Sequence, residues 1–308
     1  IINKINALKP SFVFVSVVSS EITQDIILFM ILSLIKKVHL IYLENASLPD
    51  LKVSNLNIFD QLNHRISFLV SYLFKISTNK KIIYGRIKKA AKSKDNCVEL
   101  IIPARDADRY LEESNHLTIS EENIIFLDEM FVDHPDFELL KNPKLDKYVN
   151  KTTNKYIYYK EINYSLRIIE EKLNLPIYIC LHPKHNFLDA SRKFKFEISK
   201  LNTLKAVSNA KVVVAHSSAA INFAILLKKP IILYFSKAHF YSPTHQNLIK
   251  AFKRELGLEL FNSENIFNFN FKEIKIDNKK YDKYIENHLL SKGLVNTSYE
   301  IFNNFFNK

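Results

Sequence analysis

The chain predicts an α/β protein of two halves, each built around a parallel sheet. Three observations carry this. First, Pro176 to Phe235 holds three apolar runs, PIYICLH, KVVVAH and PIILYF, separated by polar and helical stretches. Strands that alternate with helices pack as a parallel sheet. Runs apolar at every position are strands covered on both faces. Second, Ser11 to Leu43 repeats the arrangement, with SFVFVSV, a helical stretch and then VHLIYL. Third, 308 residues with 47% hydrophobic content suffice for two such cores.

In chain order, Ser11 to Val17 reads as a strand. Ser19, Ser20 and Glu21 open a helix to about Lys37, and Val38 to Leu43 is the next strand. Phe59 to Ile76 has helical spacing. Ile82 to Ala91 has no clear assignment. Glu99 to Ile102 is a short strand, and ARDADRYLEESN after it is a charged helix or loop. Asn123 to Leu127 is a strand that runs into Asp128-Glu129 and a proline-containing loop. A long helix covers Tyr156 to Leu173. Within the core stretch, Leu204 to Ala210 and Ser217 to Lys228 read as helices. Further helices are expected near Leu248 to Leu256, Tyr281 to Leu290 and Ser298 to Phe306. The expected division is an N-terminal Rossmann-like domain over 1–118, a second over 119–277 and terminal helices over 278–308 that cross back to the first. The two sheets are expected to face a central cleft, with the acceptor on the first wall and the nucleotide on the second.

Composition narrows the function. Only three glycines occur, Gly85, Gly257 and Gly293, which excludes a Walker loop and a GxGxxG fingerprint. Net charge is +12, which points to an anionic partner: a phosphorylated substrate, a membrane surface or nucleic acid. The lysines are scattered and not interleaved with aromatics as in RNA binders, so nucleic acid is not expected. Two cysteines make no disulfide framework and fit a reducing cytoplasm. Ile26 to Ile35 is apolar but too short to cross a membrane.

Ligands of open parallel sheets bind outside the carboxyl ends of the strands. His182 and His216 end the first two core runs. In the first, Pro183 sets a turn that presents the His182 ring, and Lys184 adds a positive charge. A strand cap with a turn proline would look the same. In the second, AHSSAA brings Ser217 and Ser218 to the start of a helix, where hydroxyls and unpaired N–H groups favour an anion. An ordinary serine cap is the plainer alternative. The occurrence of both at neighbouring strand ends favours a phosphate site. Among the acidic candidates, Asp128 stands nearest its strand end, followed by Glu129, then Asp133 and His134. One of them is expected to act as a general base or as a nucleophile. Asp106 and Asp108 read as a charged helix face. His239, Ser242 and His245 read as a surface loop. No metal-ligand spacing is evident.

The succession of HP after a strand, AVSNAK, VVVAHSS, an apolar helix and KKPIILYF resembles the carboxyl-terminal half of GT-B glycosyltransferases. It is most similar to those that use CMP-activated acidic sugars: sialyl-, polysialyl-, Kdo and nonulosonate transferases of bacterial surface polysaccharides. The similarity spans roughly residues 122–235. It implies a metal-independent transferase with no cofactor beyond the CMP-sugar donor, and His182, Pro183, Ser217 and Ser218 as the residues that grip CMP. The acceptor would be a glycan or glycolipid, with cytoplasmic or peripheral inner-membrane location. Those families carry an acidic pair followed by glycine before HP; here the counterpart is Asp128-Glu129-Met130, with methionine in the glycine's place. CDP-glycerol transferases of teichoic acid synthesis share the serine, helix and KP arrangement, so a polyol-phosphate transferase is the alternative. A non-catalytic nucleotide- or glycan-binding module is another.

Overall fold

The computed structural model describes residues 12–16, 39–43, 82–87, 97–133, 155–241, 243–268, 271 and 274–307. The helices expected over 19–37 and 59–76, and His134, lie outside the described residues. The chain divides into two compact units, Ile1–Asp108 with Glu286–Lys308, and Arg109–Ile285.

The first unit contains a parallel sheet of β1 (Phe12–Ser16), β2 (His39–Leu43), β3 (Ile82–Arg86) and β4 (Cys97–Ile101), in that order. β3 supplies the assignment that 82–91 lacked. It pairs β2 from Leu40↔Ile82 and β4 from Ile82↔Cys97. The unit boundary falls within α1 (Arg105–Glu113). The last helix of the chain also belongs to this unit. Ile102 packs against its Phe302, with Leu100, Ile301, Phe305 and Phe306 around them. That helix starts at a capping box: Thr297 accepts from the Glu300 N–H, and Glu300 accepts from the Thr297 N–H.

The second unit contains a six-stranded parallel sheet. Its elements are β5 (Asn123–Leu127), α2 (Lys155–Leu173), β6 (Ile177–Cys180), α3 (Phe187–Lys193), β7 (Glu197–Ile198), α4 (Thr203–Ser208), β8 (Ala210–Ala215), α5 (Ile221–Leu226), β9 (Ile231–Tyr234), α6 (Pro243–Leu256), β10 (Leu260–Phe261) and α7 (Asn278–Tyr284). Helix α8 (Ser298–Phe306) completes the chain. The sheet order is β10-β9-β8-β5-β6-β7. Counted from β5, this is the 3-2-1-4-5-6 order of dinucleotide-binding folds. The core joins sheet and helices: Ile124, Phe126, Ile179, Val212, Val214 and Ile232 meet Ile162, Leu166 and Ile169 of α2.

Three local expectations change. The histidine-tipped strands β6 and β8 are not neighbours, because β5 pairs with both and lies between them. The chain steps outward from β5 to β6 and β7, then crosses back to its other side. The helix expected from Ser217 starts only at Ile221. A turn precedes it, in which the N–H groups of Ile221, Asn222 and Phe223 donate to the carbonyls of Ser218, Ala219 and Ala220. The helix expected near Leu248 begins at Pro243, a residue suited to a first helical position because its missing N–H has no intrahelical partner there.

Candidate functional site

The connections after β5 and β8 leave in opposite directions, which opens the switch point of the second sheet at their carboxyl ends. Asp128 and Glu129 leave β5 there. Asp128 is buried. Its Oδ1 accepts from the Met130 N–H at 2.9 Å, and its Oδ2 accepts from the His182 N–H at 3.4 Å. The same Oδ2 lies 2.6 Å from His185 Nδ1, and both side chains are fully enclosed. Asp128 thus ties the β5 end to the HP turn. Met130 has φ of 54°, the left-handed conformation that glycine adopts without cost. The position where the resembled families carry glycine keeps the glycine-type backbone without the glycine. Its side chain is buried instead.

Glu129 ties β5 to β8 and β9. Its Oε2 accepts from the Ser217 N–H at 3.1 Å and the Ser217 hydroxyl at 2.7 Å. Its Oε1 lies 3.0 Å from His239 Nε2. The Ser236 N–H donates to His239 Nδ1 at 3.1 Å, so that nitrogen carries no proton and the Nε2–H points at Glu129. The Ser236 hydroxyl lies 2.8 Å from the same Nδ1, and Phe131 stacks on the ring at 4.3 Å. Burial alone would raise the Glu129 carboxyl. The hydrogen bonds it accepts, that from His239 foremost, outweigh it and hold the group well below the usual range. Glu129 is ionised.

His216 is 0% exposed. Its Nδ1–H donates to the Tyr234 carbonyl at 2.7 Å, which leaves Nε2 to accept from the Tyr158 hydroxyl at 3.2 Å. Burial pushes the imidazole down to about 4, so it is neutral at physiological pH. The sequence placed His216 among the ligand-contacting residues. The structure places its ring inside the core, against Phe126, Tyr158 and Tyr234.

The HP turn closes through the His185 N–H to the His182 carbonyl at 2.8 Å. The Lys184 N–H donates to His182 Nδ1 at 3.2 Å, which directs the neutral ring's proton to Nε2. His182 is half-buried, while Pro183 and Lys184 are exposed. Ser217 is buried and committed to Glu129, whereas Ser218 is half-buried and its oxygen accepts from the Ala220 N–H at 3.3 Å. The expected convergence of both serines on one anion is therefore replaced by a division: Ser217 holds an internal carboxylate, and Ser218 caps the turn. Asp133 accepts from Tyr159 at 2.7 Å, Lys193 at 2.7 Å and Lys155 at 2.6 Å.

Among the described residues, two groups of side chains have donor atoms close enough for a metal: Glu129, His216 and His239, and Asp133, His185 and Asp189. In the first, the His239 Nε2–H lies between ring and carboxylate, so a cation would have to displace that proton. In the second, the Lys193 ammonium already bridges Asp133 and Asp189, at 2.7 and 2.5 Å.

No protein-family model and no curated protein matches the chain. Solved structures do. Staphylococcus aureus MnaA, in a co-structure with UDP, aligns with TM-score 0.50 and 13% identity over 99% of this chain and 76% of its own. Acinetobacter baumannii MurG aligns with TM-score 0.47 and 8% identity over 100% and 76%. Methanocaldococcus jannaschii UDP-GlcNAc 2-epimerase aligns with TM-score 0.41 and 13% identity over 92% and 77%. The fold is GT-B-like.

Within this GT-B-like chain, sequence reasoning underrated two residues. His239, read as part of a surface loop, is fully buried against Glu129. His185, passed over beside the HP pair, is the ring that Asp128 holds. The signal for His239 was its place just beyond β9, at the same sheet edge as the two motifs.

Proposed function

We propose that the chain is a glycosyltransferase that moves an acidic sugar from a CMP donor to a glycan or glycolipid acceptor. The supporting observation is the flanking of Asp128-Glu129, at the switch point of a Rossmann-order sheet, by the HP turn on one side and the Ser-Ser turn on the other. In this reading the His182 Nε2–H, the Lys184 ammonium and the Ser218 hydroxyl meet the donor phosphate. They stabilise the charge that it gains as the sugar leaves. Asp128 and Glu129 are positioning residues: their oxygens are occupied by the groups they fix in place. Glu129, held well below the usual carboxylate range, is also a weak base. The contribution of this unit is thus leaving-group stabilisation, and the acceptor's proton goes to a group elsewhere.

The test is thermal-shift screening of CMP, CDP, UDP and GDP. At 100 times its dissociation constant, a ligand stabilises by ~2.7 kcal/mol. CMP is expected to give the largest shift, and His182→Ala and Ser218→Ala are expected to abolish it while the far-UV circular dichroism stays parental. A larger shift with UDP, the nucleotide in the MnaA co-structure, or no shift with any nucleotide, overturns the donor assignment. A CDP response with CDP consumed would move the reading to polyol-phosphate transfer.

A further inference from the structure

Where the HP turn runs into α3, three polar residues follow at intervals of four, His185, Asp189 and Lys193. That spacing puts them on one face. The His185 side chain is fully enclosed. Its Nδ1–H donates to Asp128 Oδ2 at 2.6 Å, so in the neutral ring Nε2 presents a lone pair. Among the described residues no group lies within hydrogen-bond distance of that Nε2. Buried polar atoms are rarely left so. The nitrogen faces two carboxylates. It lies 3.9 Å from Asp189 Oδ2, and the donor atoms of His185, Asp133 and Asp189 lie within 4.8 Å of one another. The Lys193 ammonium stands between the carboxylates, 2.7 Å from Asp133 and 2.5 Å from Asp189. It uses both acids and leaves the imidazole nitrogen unused.

We infer that Asp133, His185 and Asp189 bind a divalent transition-metal ion of zinc type in place of the Lys193 ammonium. A metal would use all three donors, where the ammonium uses two. An imidazole nitrogen among carboxylates favours zinc and its neighbours over magnesium and calcium, which take oxygen ligands. Three protein ligands leave a fourth position for water. The outer partners also fit. A ligating histidine characteristically donates its other ring N–H to a carboxylate, as His185 does to Asp128, and a ligating carboxylate is itself hydrogen-bonded. Asp133 accepts from the Tyr159 hydroxyl at 2.7 Å, and its other oxygen meets Lys155 at 2.6 Å. Four-coordinate zinc with bonds of about 2.0–2.1 Å holds its ligand atoms about 3.4 Å apart, so the group must tighten by roughly an ångström. The movable member is Asp189, whose side chain is 48% exposed. Lys193 reaches solvent on a flexible stem and can withdraw. The ion would fasten the HP turn and α3 to the loop after β5, which is a positional role.

The experiment is calorimetric titration of the full chain, stripped with EDTA and dialysed, with zinc chloride and separately with magnesium chloride. Zinc is expected to saturate this site and magnesium to bind far more weakly. Cobalt(II) in place of zinc should give the visible absorption of a four-coordinate ion. The chain has ten histidines, so variants must locate the binding. Asp189→Asn is expected to weaken zinc binding at least about tenfold. Lys193→Met removes the competing charge and is expected to tighten it at least about tenfold. Both side chains reach solvent, so the variants should keep the parental circular dichroism. No saturable zinc binding, magnesium bound as tightly as zinc, or either variant binding zinc like the parent overturns the inference. The titration contains no nucleotide, so its failure leaves the donor assignment standing, and failure of the nucleotide screen leaves this site standing.

Discussion

Acidification acts on one buried ring more than on any surface group. Burial pushes His216 down to about 4 in the folded chain against an ordinary 6.5. A folded value below the unfolded one means that the unfolded chain takes the proton first. The contribution is fully present above about pH 7 and is lost as pH falls toward 4. Between pH 7 and pH 5 the difference works out at ~2 kcal/mol, and the full shift approaches ~3 kcal/mol. The perturbation that isolates it is His216→Asn, whose amide can still donate to the Tyr234 carbonyl. The variant loses the acceptor for the Tyr158 hydroxyl and some packing, so it should be less stable at pH 7 by ~1–3 kcal/mol. It should also lose the ~2 kcal/mol of acid sensitivity specific to this ring. The assay is urea unfolding followed by far-UV circular dichroism at pH 7, 6 and 5, since the chain has no tryptophan to report by fluorescence. Equal pH slopes in parent and variant would refute the reasoning, because the ring would then have to be solvated or already charged in the folded state.

Two further predictions use the same assay. Asp128→Ala leaves the Met130 and His182 N–H groups and the enclosed His185 ring without their acceptor, and should cost ~3 kcal/mol at pH 7. Asp133 sits at about 2 against an ordinary 3.8: burial opposes its charge, but hydrogen bonds from Lys155, Lys193 and Tyr159 outweigh it. Its stabilisation is therefore present above about pH 5 and fades as pH falls toward 2. Screening at the exposed Lys155 reduces the full linkage value to ~1–2 kcal/mol, which Asp133→Asn should remove together with that part of the acid slope.

Much of the candidate site was legible because it obeys a local rule. Side chains that follow an apolar, doubly covered strand must emerge at its carboxyl end, and Asp128, His182 and Ser217 were found by that rule alone. Their partners were not legible. Asp128 lies 57 residues from the ring it holds, and Glu129 lies 110 residues from His239. No periodicity reports such distances. The glycine absent from the acidic motif shows the same limit at shorter range. Sequence comparison marks Met130 as a departure, yet its backbone adopts the left-handed conformation and its buried side chain offsets the strain.

The sequence by itself determined the class of the protein: apolar runs joined by helices dictate parallel sheets, and three glycines leave no room for a glycine-rich phosphate loop. Tertiary structure alone decided which strands are neighbours. By placing β5 between β6 and β8, it gave the two acids at the end of β5 hydrogen-bond partners in the turns on either side, and it drew His216 and His239 into the interior. The physical reason is that strand composition sets how deeply a strand is buried, while strand order is set by how the whole chain crosses over itself. The protonation and partners of every group at the sheet's edge follow from that order.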